Sequence, residues 1–127
     1  MKGENLLLDT HVFLWWRMND ASLSEQSREA IATADLVFVS AASAWEVAIK
    51  SALDKLRFPG GLEKAVIESG FEKLPISFVH AEIAGSLPPH HNDPFDRMLV
   101  AQAITERLTL VTNDRRLEPY DVSILWA

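Results

Sequence analysis

Four carboxylates in this chain stand where chemistry could use them. Asp9 closes the apolar run Leu6-Leu7-Leu8. Glu46 lies early in ASAWEVAIKSALDKL, Asp96 in HHNDPFDRMLVAQAI, and Asp114 in LTLVTNDRRL. Clustered carboxylates repel, and each becomes hard to ionise beside the others. A divalent cation removes that penalty. Hard cations such as Mg2+ take oxygen ligands, usually one or two carboxylates plus waters and substrate phosphate. Held this way, one or two ions can activate a water and stabilise the departing oxygen of a phosphodiester. Thr10, Ser43, Thr112 and Asn113 are small polar neighbours suited to orienting ligands or waters. No convincing Ser, Cys or His nucleophile set competes for the chemistry.

Each acid also has a purely structural reading. Asp9 could cap a short helix over 11–17. Glu46 stands three residues after Ser43, the spacing of a capping box, and four before Lys50, the spacing of a helical ion pair. Asp114 suits a turn. Asp93 is a good N-cap for a helix opened by Pro94, and Asp96 then falls in the first turn, where the helix dipole favours negative charge. These readings are independent of one another, whereas a single site accounts for all four acids together.

A site needs elements that bring its residues together. NLLLD (5–9) and LVFVS (36–40) read as buried strands, as do LTLVT (108–112) and VSILW (122–126). SLSEQSREAIATA (22–34), ASAWEVAIKSALDKL (42–56), LEKAVIESG (62–70), FVHAEIAGSL (78–87) and residues 94–106 read as helices. FPGG (58–61) is a breaker. FEKLPIS (71–77) is extended, with Pro75 marking an edge or a strand end. Trp45, Ile49, Ala52, Leu53 and Leu56 share one face of their helix. Phe95, Met98, Leu99 and Ile104 form a stripe expected to meet a core. Alternating strands and helices predict an α/β fold, a mostly parallel sheet with helices on both faces. Ligand sites in such sheets lie outside the carboxyl ends of the strands. Asp9 and Asp114 follow strands there, and helices carrying Glu46 and Asp96 start on the same rim.

Composition sets the bounds. The 127 residues fit one domain, 1–127, with 48% hydrophobic and 24% charged residues. There is no cysteine, hence neither a disulfide framework nor a thiolate zinc site. No run is long enough to span a membrane, and MKGENLLLD has too short an apolar stretch for a signal peptide, so a cytoplasmic protein is expected. The net charge of −6 argues against coating nucleic acid by electrostatics alone. A nucleic-acid substrate would need a local basic patch; Lys50, Arg97, Arg115 and Arg116 lie beside the acids and are candidates for its backbone. His11, His90 and His91 read as exposed loop residues, a mixed His/carboxylate metal site being the alternative. Trp45 and Trp126 read as core or interface. Trp15 and Trp16 are adjacent, so one of them is free for a partner.

The motifs LLLDTHVFLWW, SAASAWEVAIK, LPPHHNDPFDRMLVAQA and LTLVTNDRRLEPY together resemble the PIN-domain ribonucleases, and most of all the VapC-type toxins of bacterial toxin–antitoxin pairs. The resemblance runs from Leu6 to about Trp126. It implies a three-layer α/β/α sandwich, a Mg2+- or Mn2+-dependent endoribonuclease, a homodimer, and inhibition by a small cognate antitoxin. It also implies that Asp9, Glu46, Asp96 and Asp114 are the metal-holding catalytic acids. In the DPFDR pattern, Asp93 caps the helix or adds an outer oxygen.

Two other functions fit acids at strand ends. One is a phosphotransfer module, either a receiver domain or a haloacid-dehalogenase-like phosphatase. The phosphatase pattern wants a second Asp two residues after the first, and position 11 is His. The receiver's acidic pair is not clear either. The other is a catalytically silent PIN-like binding domain.

Overall fold

The computed structural model describes residues 4–56, 58 and 60–127. Five short strands form its centre: β1 (Asn5–Leu8), β2 (Leu36–Ser40), β3 (Glu72–Leu74), β4 (Thr109–Thr112) and β5 (Ile124–Trp126). All neighbours pair in parallel, in the order β3-β2-β1-β4-β5, so the sheet is wholly rather than mostly parallel. A parallel sheet has no wet face, which is why the central strands are apolar at successive positions. Leu6 and Leu8 enter one core cluster and Leu7 the other, and all three are buried.

Parallel neighbours require crossovers. These are supplied by α1 (Thr10–Met18) and α2 (Glu25–Thr33), by α3 (Ala41–Ala52) and α4 (Leu62–Glu68), and by α5 (Phe78–Ser86) and α6 (Pro94–Glu106). Phe13, Ile31 and Val66 of α1, α2 and α4 pack with Leu6, Leu8, Val37 and Val39 on one side. Leu99, Val100 and Ala103 of α6 pack with Leu7 and Leu110 on the other. The result is the expected α/β/α sandwich. No described helix is long and apolar enough to cross a membrane.

The chain runs outward from β1 through β2 to β3, then returns over the sheet to β4 on the far side of β1. That reversal makes β1 and β4 the topological switch point, where open α/β sheets leave a crevice beyond their carboxyl ends. The order also differs from the 2-1-3-4-5 arrangement of receiver domains.

Several sequence expectations need correction. The second helix starts at Glu25, capped by Ser24 rather than opened near Ser22. The third ends at Ala52, four residues early, and Asp54 beyond it has a left-handed φ of 56°. Its stripe of Trp45, Ile49 and Leu53 faces outward, with Trp45 62% and Leu53 60% exposed. Ala42, Ser43, Glu46 and Val47 face inward instead. Periodicity marks an apolar stripe without saying which of two adjacent stripes faces in. On α6, Leu99 is buried, Phe95 and Met98 are half-buried, and Ile104 is exposed. The strand around Pro75 is at the sheet edge, as its proline suggested. Part of the 58–61 break, Pro59, lies outside the described residues; Gly60 and Gly61 have φ of 86° and 79°, which suits a turn only glycine adopts without strain.

Candidate metal and nucleic-acid site

Asp9 leaves β1 and caps α1, its Oδ1 accepting from the Val12 N–H at 2.8 Å. Its Oδ2 accepts from the Thr112 hydroxyl of β4 at 2.6 Å. Thr112 Oγ1 in turn accepts from the Asp114 N–H at 3.1 Å. One threonine thus ties the acids of β1 and β4 together across the switch point. Both the capping role and a place on the rim belong to Asp9; they do not compete.

Glu46 is buried on α3. Thr10 Oγ1 lies 2.7 Å from Glu46 Oε1 and 2.9 Å from the Ser43 hydroxyl. Having one proton, Thr10 donates it to the carboxylate and accepts from Ser43. Lys50 donates to Glu46 Oε2 at 2.8 Å, the helical pair expected from their spacing. The cap of α3 is Ser40, so the Ser43–Glu46 capping box does not form. Ser43 is one turn inside the helix and turns to Thr10 instead.

Asp93 caps α6 as anticipated. Its Oδ1 accepts from the N–H groups of Phe95 and Asp96 at 2.8 and 3.2 Å, with Pro94 at the first position. Asp96 then projects toward the other acids. Burial pushes its carboxyl up to about 6, opposed by a hydrogen bond from His91 and reinforced by the charges of Asp93 and Asp9. Burial likewise raises the Asp9 carboxyl above its ordinary range, against the hydrogen bonds from Thr112 and Val12, and the charge of Glu46 adds to the rise. Asp114 moves the other way. Arg116 donates to both its oxygens, at 2.9 and 2.8 Å, and holds it below the usual carboxylate range.

Sequence reasoning missed His91. It is buried, 7% exposed, not a solvated loop residue. Its Nε2 is 2.9 Å from Asp96 Oδ2 and 3.4 Å from Asp114 Oδ2. The signal was available only as two adjacent histidines ahead of the capping aspartate, which does not say which of them turns inward. His11 and His90 are exposed, as expected.

The four basic candidates differ. Arg116 faces Asp114, and Lys50 faces Glu46. Arg115 is exposed, its guanidinium 4.0 Å over the Trp126 ring. With Asp9, His11, Trp15, Asn113 and Asp114 it lines a depression of about 370 Å³ on the rim. Arg97 is engaged elsewhere: it donates to the carbonyls of Ala84, Leu87, Pro88 and His91 and to the Tyr120 hydroxyl. A guanidinium with that many protein acceptors holds a loop and has little left for a phosphate. The larger apolar depression between α3, α4 and β3 is lined by Leu62, Val66 and Leu74 and by none of these four acids.

The donor set suits a hard divalent cation. It is made of carboxylate oxygens, and among the described residues Asp9 has no ion-pair partner. Two of its acids resist ionisation without added positive charge. Asp9, Glu46 and Asp96 keep unengaged lone pairs on their carboxylates, whereas Asp114 Oδ1 accepts from both the backbone N–H and the Nε–H of Arg116, and its Oδ2 from a third Arg116 N–H. Among the described residues the one group of three or more such side chains whose donor atoms all lie within 4.8 Å of one another is His91, Asp93 and Asp96, not the four acids.

Comparison with known proteins agrees with this architecture. The PIN domain family profile matches residues 6–122. Ribonuclease VapC22 of Mycobacterium tuberculosis is 33% identical over 122 residues, covering 91% of each chain. The structure of VapBC2 from Rickettsia felis bound to a promoter DNA fragment superposes with a TM-score of 0.70 at 16% identity, covering 96% of this chain and 98% of that one. DNA-bound VapBC from Salmonella typhimurium gives 0.69 at 21% identity, covering 97% and 98%. The chain belongs to the PIN-domain family, among the VapC proteins.

Proposed function

We propose that this chain is a Mg2+- or Mn2+-dependent endoribonuclease, the toxin of a toxin–antitoxin pair, with residues 1–127 forming one nuclease domain. The observation that supports the reading is the closeness of Asp9 to Glu46 and to Asp96, and of His91 to both Asp96 and Asp114, beside the β1/β4 switch point. The ribonuclease relative and the VapBC assemblies support the activity and the antitoxin partner.

In this reading the four acids hold the cation. The chemistry a cation supplies there when bound is a more easily deprotonated water and positive charge opposite the departing oxygen. Thr112 and Thr10 fix the rotamers of Asp9 and Glu46 through the bonds described above. Asn113 and Arg115 line the adjacent depression and face the phosphate backbone, and Arg116 and Lys50 supply further positive charge. The exposed Trp45, Ile49 and Leu53 stripe of α3 is the surface for homodimer contact, since contiguous exposed apolar patches mark interaction sites.

Inducible expression in bacterial cells tests this. Wild type should arrest growth and leave new RNA ends at defined positions, while Asp9→Asn should do neither at equal protein level. Arrest by the Asp9→Asn variant, or arrest without RNA cleavage, would leave the silent-domain reading in its place.

A further inference from the structure

His91 is a buried imidazole that the four-acid scheme does not use. It sits in the 87–93 segment between α5 and α6 and reaches two acids that belong to different elements. Asp96 is in the first turn of α6; Asp114 follows β4. We infer that His91 is a positioning residue: its Nε2 proton binds Asp96, and its ring stands against Asp114, so that together they set the spacing of the two acids around one cation. The inference rests on the metal-dependent reading above and deepens it.

His91 Nε2 hydrogen-bonds to Asp96 Oδ2 at 2.9 Å and stands 3.4 Å from Asp114 Oδ2, an oxygen that Arg116 holds from its other side at 2.8 Å. A metal ligand would need the Nε2 lone pair free of a proton, yet between two carboxylates the proton is what this nitrogen is placed to offer. Mg2+ and Mn2+ at such sites favour the oxygens. Carboxylates that ligate metals are commonly hydrogen-bonded in turn by outer groups that fix their orientation.

A clamp works only if it cannot move, and the surrounding bonds supply that rigidity. The Tyr120 hydroxyl donates to Pro88 O at 2.8 Å and accepts from the His91 N–H at 3.1 Å and from Arg97 at 3.2 Å. Its single proton and both lone pairs are thereby satisfied. Arg97 binds His91 O at 3.3 Å, Pro88 O at 3.0 Å, and Ala84 O and Leu87 O at 2.9 Å each. The His90 ring packs edge-on against Tyr120, 5.0 Å between centroids. Residues 84–91 are therefore pinned at Ala84, Leu87, Pro88 and both backbone groups of His91 by the side chains of Tyr120 and Arg97. This also explains why Arg97, one residue from Asp96, turns to the 84–91 segment. A loop free to shift would release both carboxylates, which would then separate under mutual repulsion.

The test is Mn2+ affinity, read as free Mn2+ by electron paramagnetic resonance on purified protein whose folding is checked by circular dichroism. His91→Phe keeps a ring and loses the donor; His91→Gln keeps an N–H near the Nε2 position. His91→Phe should bind Mn2+ about 10-fold more weakly or worse, in the range seen for groups that orient metal ligands. His91→Gln should recover most of that loss. Tyr120→Phe should weaken binding in wild type but add little in the His91→Phe background, because both act through one imidazole. Equal affinity in wild type and folded His91→Phe overturns the inference and spares the metal site. So does a directly coordinated nitrogen in the pulsed spectrum of the wild-type Mn2+ complex, since His91 is then a ligand. Wild type that takes up no Mn2+ overturns the metal reading itself and this inference with it.

Discussion

Replacing Asp96 by Asn should stabilise the metal-free protein at neutral pH, against the usual direction for losing an acid at a helix start. The Asp96 carboxyl is raised from 3.8 to about 6 by burial. Two units correspond to roughly 3 kcal/mol at most. The side chain is 20% exposed, and solvent screening lowers the figure to about 1.5–2 kcal/mol. Because its folded value lies above its unfolded one, the folded form binds the proton more tightly. The associated stability is present below about pH 4, falls as pH rises toward 6, and is fully lost at pH 7.5. Asn carries no charge to desolvate, but it forfeits the helix-dipole contribution of roughly 0.3–1 kcal/mol. The net gain is about 1 kcal/mol, or roughly 3–5 °C in Tm for a domain of this size. Thermal melts of wild type and Asp96→Asn in EDTA at pH 7.5 and pH 4 read this directly. The variant should melt higher at pH 7.5 and gain nothing at pH 4. A variant that melts lower at pH 7.5 would show that Asp96 serves chiefly to start α6. Asp9, shifted in the same direction by burial, should steepen the wild-type decline over that pH range.

Other residues separate along the same lines. Arg97→Ala strands several carbonyls of the 84–91 segment and should cost about 2–4 kcal/mol in a denaturant melt. Arg115→Ala/Arg116→Ala should leave the melt nearly unchanged and reduce the slope of log K against log salt for RNA binding by about 1 per contact removed; an unchanged slope excludes both from the phosphate path. Trp45→Ser/Leu53→Ser should convert a dimer to a monomer in light scattering, and an unchanged mass would move the interface off α3.

The places of Asp9 and Asp114 on the rim were legible in the sequence because strand ends are. Asp9 and Asp114 each follow an apolar run, and an α/β pattern fixes where such runs point. Asp93 and Asp96 were separable by capping chemistry alone, since Pro94 allows only one of them to be the cap. What sequence left out depends on contacts between distant residues. The inward turn of His91 is set by Tyr120, 29 positions away, and by an arginine that adjacency to Asp96 had suggested for the substrate. The outward face of α3 followed from packing. Ala42, Ser43 and Val47 meet the interior, and periodicity could not choose that stripe over Trp45 and Leu53. The switch point itself came from strand order, which a pattern of alternating elements does not encode.

Cleavage of an end-labelled RNA panel by purified protein tests the central claim most directly. Each of wild type, Asp9→Asn and Asp96→Asn is assayed in EDTA and after addition of Mg2+ or Mn2+. Wild type should cut at discrete sites only with the metal, and both variants should lose at least a hundredfold in rate, the order expected when a ligand to an activating metal is removed. Metal-independent cutting, or near wild-type rates in both variants, would contradict the assignment of these acids.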